Sequence, residues 1–531
     1  MFVLKIYNNA WLVTHLLESN SISIPDKVAI VQRNTEYTYS FLNNEANKIS
    51  RWLIHSGIKP GDRVILYGVN SERLITGLFG ILKAGAVFVP VHPTSSYITL
   101  EFILRDCSPS AIILDDDLFI NNDLFARYFF KSILLTSDIY SGNKTDKTTT
   151  WRTLQTYSGC SSSVSRISND DLAAIIYTSG STKYPRGVME LHKQILFATS
   201  SINTVIENKE DERILCGLPF SFDYGLYQIF LTFQVGATVI IEKDFSNPLA
   251  IPRILKINNI TGFPGVPSLF AMLLRSKLLE RIELPNLRYI TSTGDVFPVA
   301  HIQRLKEIYP HINIFPMYGL TECKRVCIMP KGELETHESS VGKPLPGTHV
   351  FVADEAGKEI SGVCVGELVI KGPHVMAGYW NNPEETKRRF RKDDSTGEVN
   401  LYSGDFFKID LDGFLYFIGR DETFIKSRGQ KISPAEIESY LCSLYGISES
   451  AVVGVPDSVL GEFVCAFVSV NKNNINLEDI FEHSKNTLSP AKYPKQIIMS
   501  ESPLPKTQHG KIDRKKLREI AIKEFSGNRK L

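Results

Sequence analysis

The sequence predicts an α/β fold with a large N-terminal domain, a β-rich subdomain and a small α+β C-terminal domain. Three observations carry this. Apolar runs of strand length alternate with helical periodicity through roughly the first 300 residues. From Gly347 the texture shifts to shorter strands. After Arg420 runs a stretch of about 110 residues, long enough for a core of its own.

In order, the strand-like runs are VILYGV (64–69), AVFVPV (86–91), SAIILD (110–115), LAAIIYT (172–178), ATVIIE (237–242) and YITSTG (289–294). Repeated strand–helix alternation of this kind builds largely parallel sheets. Helical periodicity marks Leu42 to His55 and Ala300 to Ile308. HVFVAD (349–354) and GELVIKG (366–372) form the β-rich part, and turns are expected at Ser403 and Gly404, at Asp412 and Gly413, and at Arg428 and Gly429. A helix over Pro434 to Leu444 is opened by Ser433 as N-cap, Pro434 at its first position and Glu436 at the capping-box position. Residues 141–150 and 158–168 read as a surface excursion.

At 531 residues the chain needs several domain-sized units. Ordinary composition, 43% hydrophobic and 22% charged, with a net charge of +1, excludes nucleic-acid binding by bulk electrostatics and points to small-molecule partners. The eight cysteines are scattered without a CxxC pair, which is no zinc framework and suits a reducing, cytoplasmic location. The start, MFVLKIYNNAWLV, is broken by Lys5, Asn8 and Asn9 before a signal-peptide core develops. Leu74 to Val91 contains Lys83, three glycines and Pro90, so helix, turn and buried strand are expected there and no transmembrane segment.

Residues 177–188 read YTSGSTKYPRGV directly after an apolar run. Thr178, Ser179, Ser181 and Thr182 offer hydroxyls, Gly180 and Gly187 allow close backbone approach, and Lys183, Arg186 and Lys193 supply positive charge. A polyphosphate suits such a cradle, although the order is neither GxxxxGK[ST] nor GxGxxG. Four further stretches look chemical: MYGLTE (317–322), YSGD (402–405), GRDETFIKSRGQKI (419–432) and LPKTQHGKIDR (504–514).

These five motifs, in this order, resemble the adenylate-forming enzymes: acyl-CoA synthetases, aryl-acid ligases, adenylation domains of nonribosomal peptide synthesis, and luciferases. GDRV (61–64), KAGAVFVPVHP (83–93) and GELVIKGPHVMAGYWN (366–381) extend the resemblance over nearly the whole chain. It implies a reaction in which ATP converts a carboxylic acid to its acyl-adenylate with release of pyrophosphate, followed by transfer to a thiol. By resemblance, Lys511 is the catalytic lysine bridging substrate carboxylate and α-phosphate, Glu322 after Thr321 binds Mg2+, and Tyr318 stacks on adenine. Asp405 accepts the ribose hydroxyls, Arg420 reaches ribose and phosphate, and Glu422 is the hinge. The implied domains are 1–419, binding ATP and the acid, and a mobile 420–531.

Three departures from the family pattern matter. In the loop, Lys183 stands where glycine is usual and Arg186 where lysine is usual; at the hinge, Glu422 stands where aspartate is common; and Asp295 follows Gly294 where many relatives have a second glycine. Lys183 either adds a cation for the triphosphate or adds backbone strain that weakens ATP binding. Phe222 and Asp223 resemble the pair with which amino-acid-activating relatives hold a substrate ammonium; alternatively Asp223 N-caps the helix expected over Tyr224 to Phe233. The run Glu322, Cys323, Lys324, Arg325 places a cation near the acid pocket or is solvated surface. CoA and the phosphopantetheine of a separate acyl or peptidyl carrier protein both remain as thiol acceptors. The alternatives are a free-standing amino-acid-adenylating enzyme, a weakly active nucleotide-binding relative, and a luciferase-like oxidase.

Overall fold

The computed structural model describes residues 11–120, 123–138, 147–157, 167–178, 184–354, 356–360, 362–393, 396–427, 430–457, 460–470, 475–507 and 510–526. Among these residues the strands form four sheets. One runs Thr148–Thr150, Ser132–Leu135, Ala111–Leu114, Arg63–Tyr67, Val87–Val91, Leu172–Thr178, Arg186–Leu191, parallel until the last antiparallel pair. A second has at its centre the parallel strands Asn313–Tyr318, Tyr289–Ser292, Gly262–Gly265, Arg213–Cys216, Thr238–Ile241 and Val28–Gln32. The expected α/β layering is thus present.

Helices Tyr39–His55, Glu72–Lys83, His192–Ile206 and Asp223–Gln234 share one apolar core with strands of both sheets, including Ile30, Val64, Phe88 and Val239. Their starts follow local chemistry. Thr38 accepts from the Phe41 N–H at 3.2 Å, and Ser71 from that of Leu74 at 3.3 Å, each satisfying an otherwise orphaned helix donor. Leu74, Leu78, Phe79 and Leu82 are buried, so the apolar stretch that begins at Leu74 is a core helix and strand. Among the described residues no helix is long and apolar enough to cross a membrane.

The third sheet is antiparallel, with Val399–Ile409 between Cys364–Lys371 and Leu415–Arg420. Here the expected turn at Ser403 and Gly404 is corrected: Val399–Ile409 is one continuous strand. Gly404 sits at φ +73° beside a register shift, and its N–H bonds to Glu367 Oε1 at 2.8 Å. A bulge uses the same glycine freedom as a turn, which is why the sequence does not separate them. Gly413, at φ +79°, does turn the chain between Ile409 and Leu415. Arg428 and Gly429 lie outside the described residues.

The fourth sheet gathers Gln430–Ile432, Ile425–Ser427, Gly461–Val470, Ile447–Asp457 and Gln496–Ser500. Helix Pro434–Ser443 packs on it, and Ser433 accepts from the Glu436 N–H at 3.3 Å as the capping pattern predicts. The stretch expected to be a surface excursion needs one correction: Thr148–Thr150 is an edge strand beside Ser132–Leu135, where β-branched threonines fit a half-buried pleat. The rest of that stretch, 141–146 and 158–166, lies outside the described residues.

Candidate active site

Strand ends and loops converge on a cleft of about 840 Å³. Thr178, Phe222, Asp223, Gly294, Thr321, Glu322, Asp405, Arg420 and Lys511 line it, although they come from four separate stretches of chain and more. Ser179, Gly180, Ser181, Thr182 and Lys183 lie outside the described residues. Ten basic side chains face six acidic ones around the described wall, an excess that suits a polyanion.

Asp405 anchors the nucleotide side. Strand Val399–Ile409 puts it opposite Arg420 on Leu415–Arg420. Its Oδ1 lies 2.9 Å from Arg420 Nε, and its Oδ2 accepts from the Tyr318 hydroxyl at 2.5 Å. Asp405 raises the Arg420 pKa above its ordinary value, so this guanidinium stays charged. Tyr318 is not in the cleft lining. Its ring lies between Phe407, edge-on at 4.6 Å, and Phe417, stacked at 6.4 Å, and burial followed by Asp405 pushes its phenol well up.

Glu322 is 7% exposed, yet its Oε1 accepts from the Tyr379 hydroxyl at 2.6 Å and lies 3.3 Å from Arg389 Nη1. Tyr379 lies in the quoted stretch 366–381 but nothing there marks it as a partner of Glu322, and nothing in the run KRRF (387–390) says which arginine turns inward. Arg186 gives its charge to Glu385 at 2.8 Å, and Lys193 pairs with Asp170. Of the three cations read in the first loop, two are therefore engaged within the protein.

Lys511 reaches the cleft from a tight turn in which the Thr507 N–H donates to its carbonyl at 2.7 Å and Gly510 adopts φ +77°. The Gly510 carbonyl accepts from Ser268 Oγ, beside a separate small cavity that Lys511 also lines. The Lys511 ammonium lies 5.3 Å over the Phe222 ring. Gly294, at φ +97°, makes room: a Cβ there would stand 3.1 Å from Lys511 Cε. Burial first, then the charge of Arg420, lowers the Lys511 pKa from the ordinary lysine value.

Asp295 lies next to Gly294 but faces a separate small cavity, which Lys511 and Arg514 share. Arg514 Nη1 and Nη2 contact its two oxygens at 3.0 and 3.3 Å, and Nη2 also donates to Glu438 Oε2 at 2.7 Å. Burial pushes the Asp295 carboxyl up, but Arg514 outweighs it and holds the group below the usual carboxylate value. The motif LPKTQHGKIDR contains Arg514, yet only its neighbour Lys511 is legible there as chemical.

On the acid side the helix begins at Asp223, one residue earlier than expected, with Phe222 rather than Asp223 at the N-cap. Asp223 Oδ1 accepts the Tyr224 N–H at 2.9 Å, and Oδ2 lies 3.9 Å from Lys324 Nζ. Lys324 also pairs with Glu190, which is fully buried and whose carboxyl burial raises to about 7 against the pull of Lys324. Lys324 sits at φ +65°, and it and Arg325 contact different groups: Lys324 reaches Glu190 and Asp223, and Arg325 lies over the Tyr224 ring. The run Glu322 to Arg325 is buried throughout, and is not solvated surface.

The cleft thus combines an excess of basic side chains with a buried lysine, Lys511, at its wall. A family model described as AMP-binding enzyme matches residues 18–380, and one described as AMP-binding enzyme C-terminal domain matches residues 436–511. The chain is 30% identical to a long-chain-fatty-acid–CoA ligase of Bacillus subtilis (strain 168), over 95% of this chain and 93% of that protein. It is 29% identical to gramicidin S synthase 2 of Aneurinibacillus migulanus over 97% of its own length, which spans 11% of that relative. The crystal structure of an anthranilate CoA ligase in complex with anthranoyl-AMP superposes with a TM-score of 0.88 at 25% identity, covering 97% of this chain and 98% of the other. The chain belongs to the AMP-binding enzymes, the family of adenylate-forming ligases.

Proposed function

We propose that this chain is an AMP-forming acid–thiol ligase that uses ATP to convert a small carboxylic acid to its acyl-adenylate and then passes the acyl group to a thiol. The observation that supports this most is Lys511, whose ammonium enters the same cleft as Asp405, Arg420 and Glu322. A substrate carboxylate oxygen attacks the α-phosphorus, the bond to the β-phosphate oxygen breaks, and pyrophosphate leaves. Two anions approach each other in that step, and Lys511 offers a positive charge to both. Arg420 stays charged beside them, and Asp405, which accepts only one donor on each oxygen, keeps lone pairs for ribose hydroxyls. Glu322 offers one carboxylate at the cleft wall. That suits Mg2+, which is commonly held by one or two carboxylates plus phosphate oxygens. The ion supplies charge neutralisation of the triphosphate when bound.

In the second step a thiolate attacks the acyl carbonyl and AMP leaves. CoA and a carrier-protein phosphopantetheine are both chemically competent. The 3-10 turn Asp421–Thr423 links the last strand of one sheet, Leu415–Arg420, to the first of the next, Ile425–Ser427. It supports a division at residues 419 and 420 with Glu422 as pivot. The described cysteines are free thiols, which suits a cytoplasmic setting.

A second reading, amino-acid activation, is favoured by one arrangement: Glu190 and Asp223 share the single ammonium of Lys324. A substrate ammonium beside Asp223 would restore the balance. Acid-dependent exchange of labelled pyrophosphate into ATP, screened over amino, aryl and aliphatic acids, tests the ligase function. Binding of ATP without exchange for any acid would leave only a nucleotide-binding relative.

A further inference from the structure

Arg325 is 5% exposed and lines the cleft. Its Nη1 donates to the Lys324 carbonyl at 3.0 Å, and its guanidinium lies 4.7 Å over the Tyr224 ring. Its Nε is buried without a hydrogen-bond partner. The neighbouring carboxylates are taken: Lys324 holds Glu190 and Asp223, and Arg389 holds Glu322. Among the described residues Arg325 forms no ion pair. Ser221 Oγ, also at the cleft wall, is buried and unpartnered as well.

A buried guanidinium with an unused donor is costly unless a ligand completes it. Each ligand chemistry can be weighed against the three groups nearby. An apolar acyl chain would desolvate the charge and satisfy nothing. A second ammonium would be repelled. A carboxylate neutralises the guanidinium at the cleft wall and accepts from its N–H donors, and the Ser221 hydroxyl on the same wall has no competing partner.

We propose that the acid activated by this chain bears a second carboxylate, which docks on Arg325. The inference rests on the ligase reading and names its substrate class. Lys511 serves the reacting carboxyl, and Arg325 reads the spectator one. Lys324 stays with its internal carboxylates, while Arg325 remains for the substrate.

The test is pyrophosphate exchange by the full chain, with saturating ATP and magnesium, on aspartate, succinate, asparagine, β-alanine, alanine and butyrate, and on the matching five-carbon set headed by glutamate. In at least one set the diacid should exceed its monoacid and monoamide analogues by about 10²-fold in kcat/KM, since a site built for a charged acceptor rejects a ligand lacking it. Arg325→Met should collapse that ratio toward unity, mainly through KM, and Arg325→Lys should recover part of it. Wild-type preference for the monoacid or the amide overturns the proposal, as does equal loss for diacid and monoacid in Arg325→Met. Should that variant fail to fold, the wild-type ratio decides alone. Exchange with a fatty or aryl acid but with none of these diacids overturns the inference and leaves the ligase function standing; exchange with no acid removes both.

Discussion

The two halves of the cleft are built on opposite principles. On the nucleotide side each charged group has a partner reaching it from a neighbouring strand or loop: Asp405 has Arg420 and Tyr318, and Glu322 has Arg389 and Tyr379. On the acid side the charges are out of balance, with Lys324 shared by two carboxylates and Arg325 left over. A ligand common to a whole family can be met by fixed, satisfied groups. A ligand particular to one chain is recorded as what the pocket lacks. The first half carries paired charges and the second an unpaired guanidinium, and the proposed substrate class rests on that difference.

The largest effect should come from the residue that joins the halves. Lys511→Ala removes the one ammonium placed at both, and pyrophosphate exchange should fall on the order of 10²–10³-fold. ATP affinity, measured by calorimetry, should change little, because Asp405, Arg420 and Glu322 are untouched. A parallel loss of ATP binding would move Lys511 to the nucleotide side alone.

Asp223 sharpens the acid half. If it holds a substrate ammonium, Asp223→Ala strands that cation and should cost roughly 2–4 kcal/mol in transition-state binding for an amino acid. The des-amino analogue should be spared. The readout is the ratio of specificity constants for aspartate and succinate, in wild type and variant. If Asp223 serves only the Tyr224 N–H and Lys324, the ratio stays fixed and about 1 kcal/mol of stability is lost.

Glu190 separates internal charge balance from ligand binding. Burial outweighs Lys324 and pushes the Glu190 carboxyl up to about 7, above the ordinary 4.5. A raised carboxyl contributes stability that is full below the unfolded value and is lost as pH rises through the folded one. Wild type should therefore lose up to about 3 kcal/mol relative to Glu190→Gln between pH 4.5 and 8. Urea midpoints of the two proteins at several pH values measure the slope. A constant difference would show that Lys324 fully offsets burial.

What was legible in the sequence follows the same division. Six apolar runs located their strands to within a residue or two, since buried strands are continuous apolar stretches, while Val28–Gln32, Ser132–Leu135, Arg213–Cys216, Gly262–Gly265 and Asn313–Tyr318 were not read from the sequence. The family function was legible because ATP handling needs residue types in order along the chain. The partners of Glu322 were not, because Tyr379 and Arg389 arrive from 57 and 67 residues away with no local pattern. Lys324 and Arg325 could be read as a cation near the pocket, but which of the two is held by Glu190 and Asp223 depends on contacts from distant parts of the chain that the local run does not signal. The Ser403 and Gly404 bulge fails for a related reason, as the same residue pair serves a turn equally well.

The smallest expected effect tests how the halves are held together. Arg514 is the cross-link: it joins Asp295, beside the acid pocket, to Glu438 on the helix Pro434–Ser443. With Lys511 three residues before it, this ion pair holds the lysine in place during adenylation and must break if the C-terminal part turns about Glu422. Arg514 and Asp295 are each partly exposed, at 29% and 21%, so Arg514→Gln should weaken the closed arrangement by only about 1–2 kcal/mol. Adenylation should slow about five- to tenfold. Thioester formation from preformed acyl-adenylate should not slow, and rises if breaking this contact limits it. Glu422→Pro, which stiffens the turn, should show the reverse pattern, sparing adenylation and slowing thioester formation. Opposite signs in the two variants would establish one latch and one pivot for the same movement; equal losses in both half-reactions would make Arg514 and Glu422 supports of the fold and remove rotation from the mechanism.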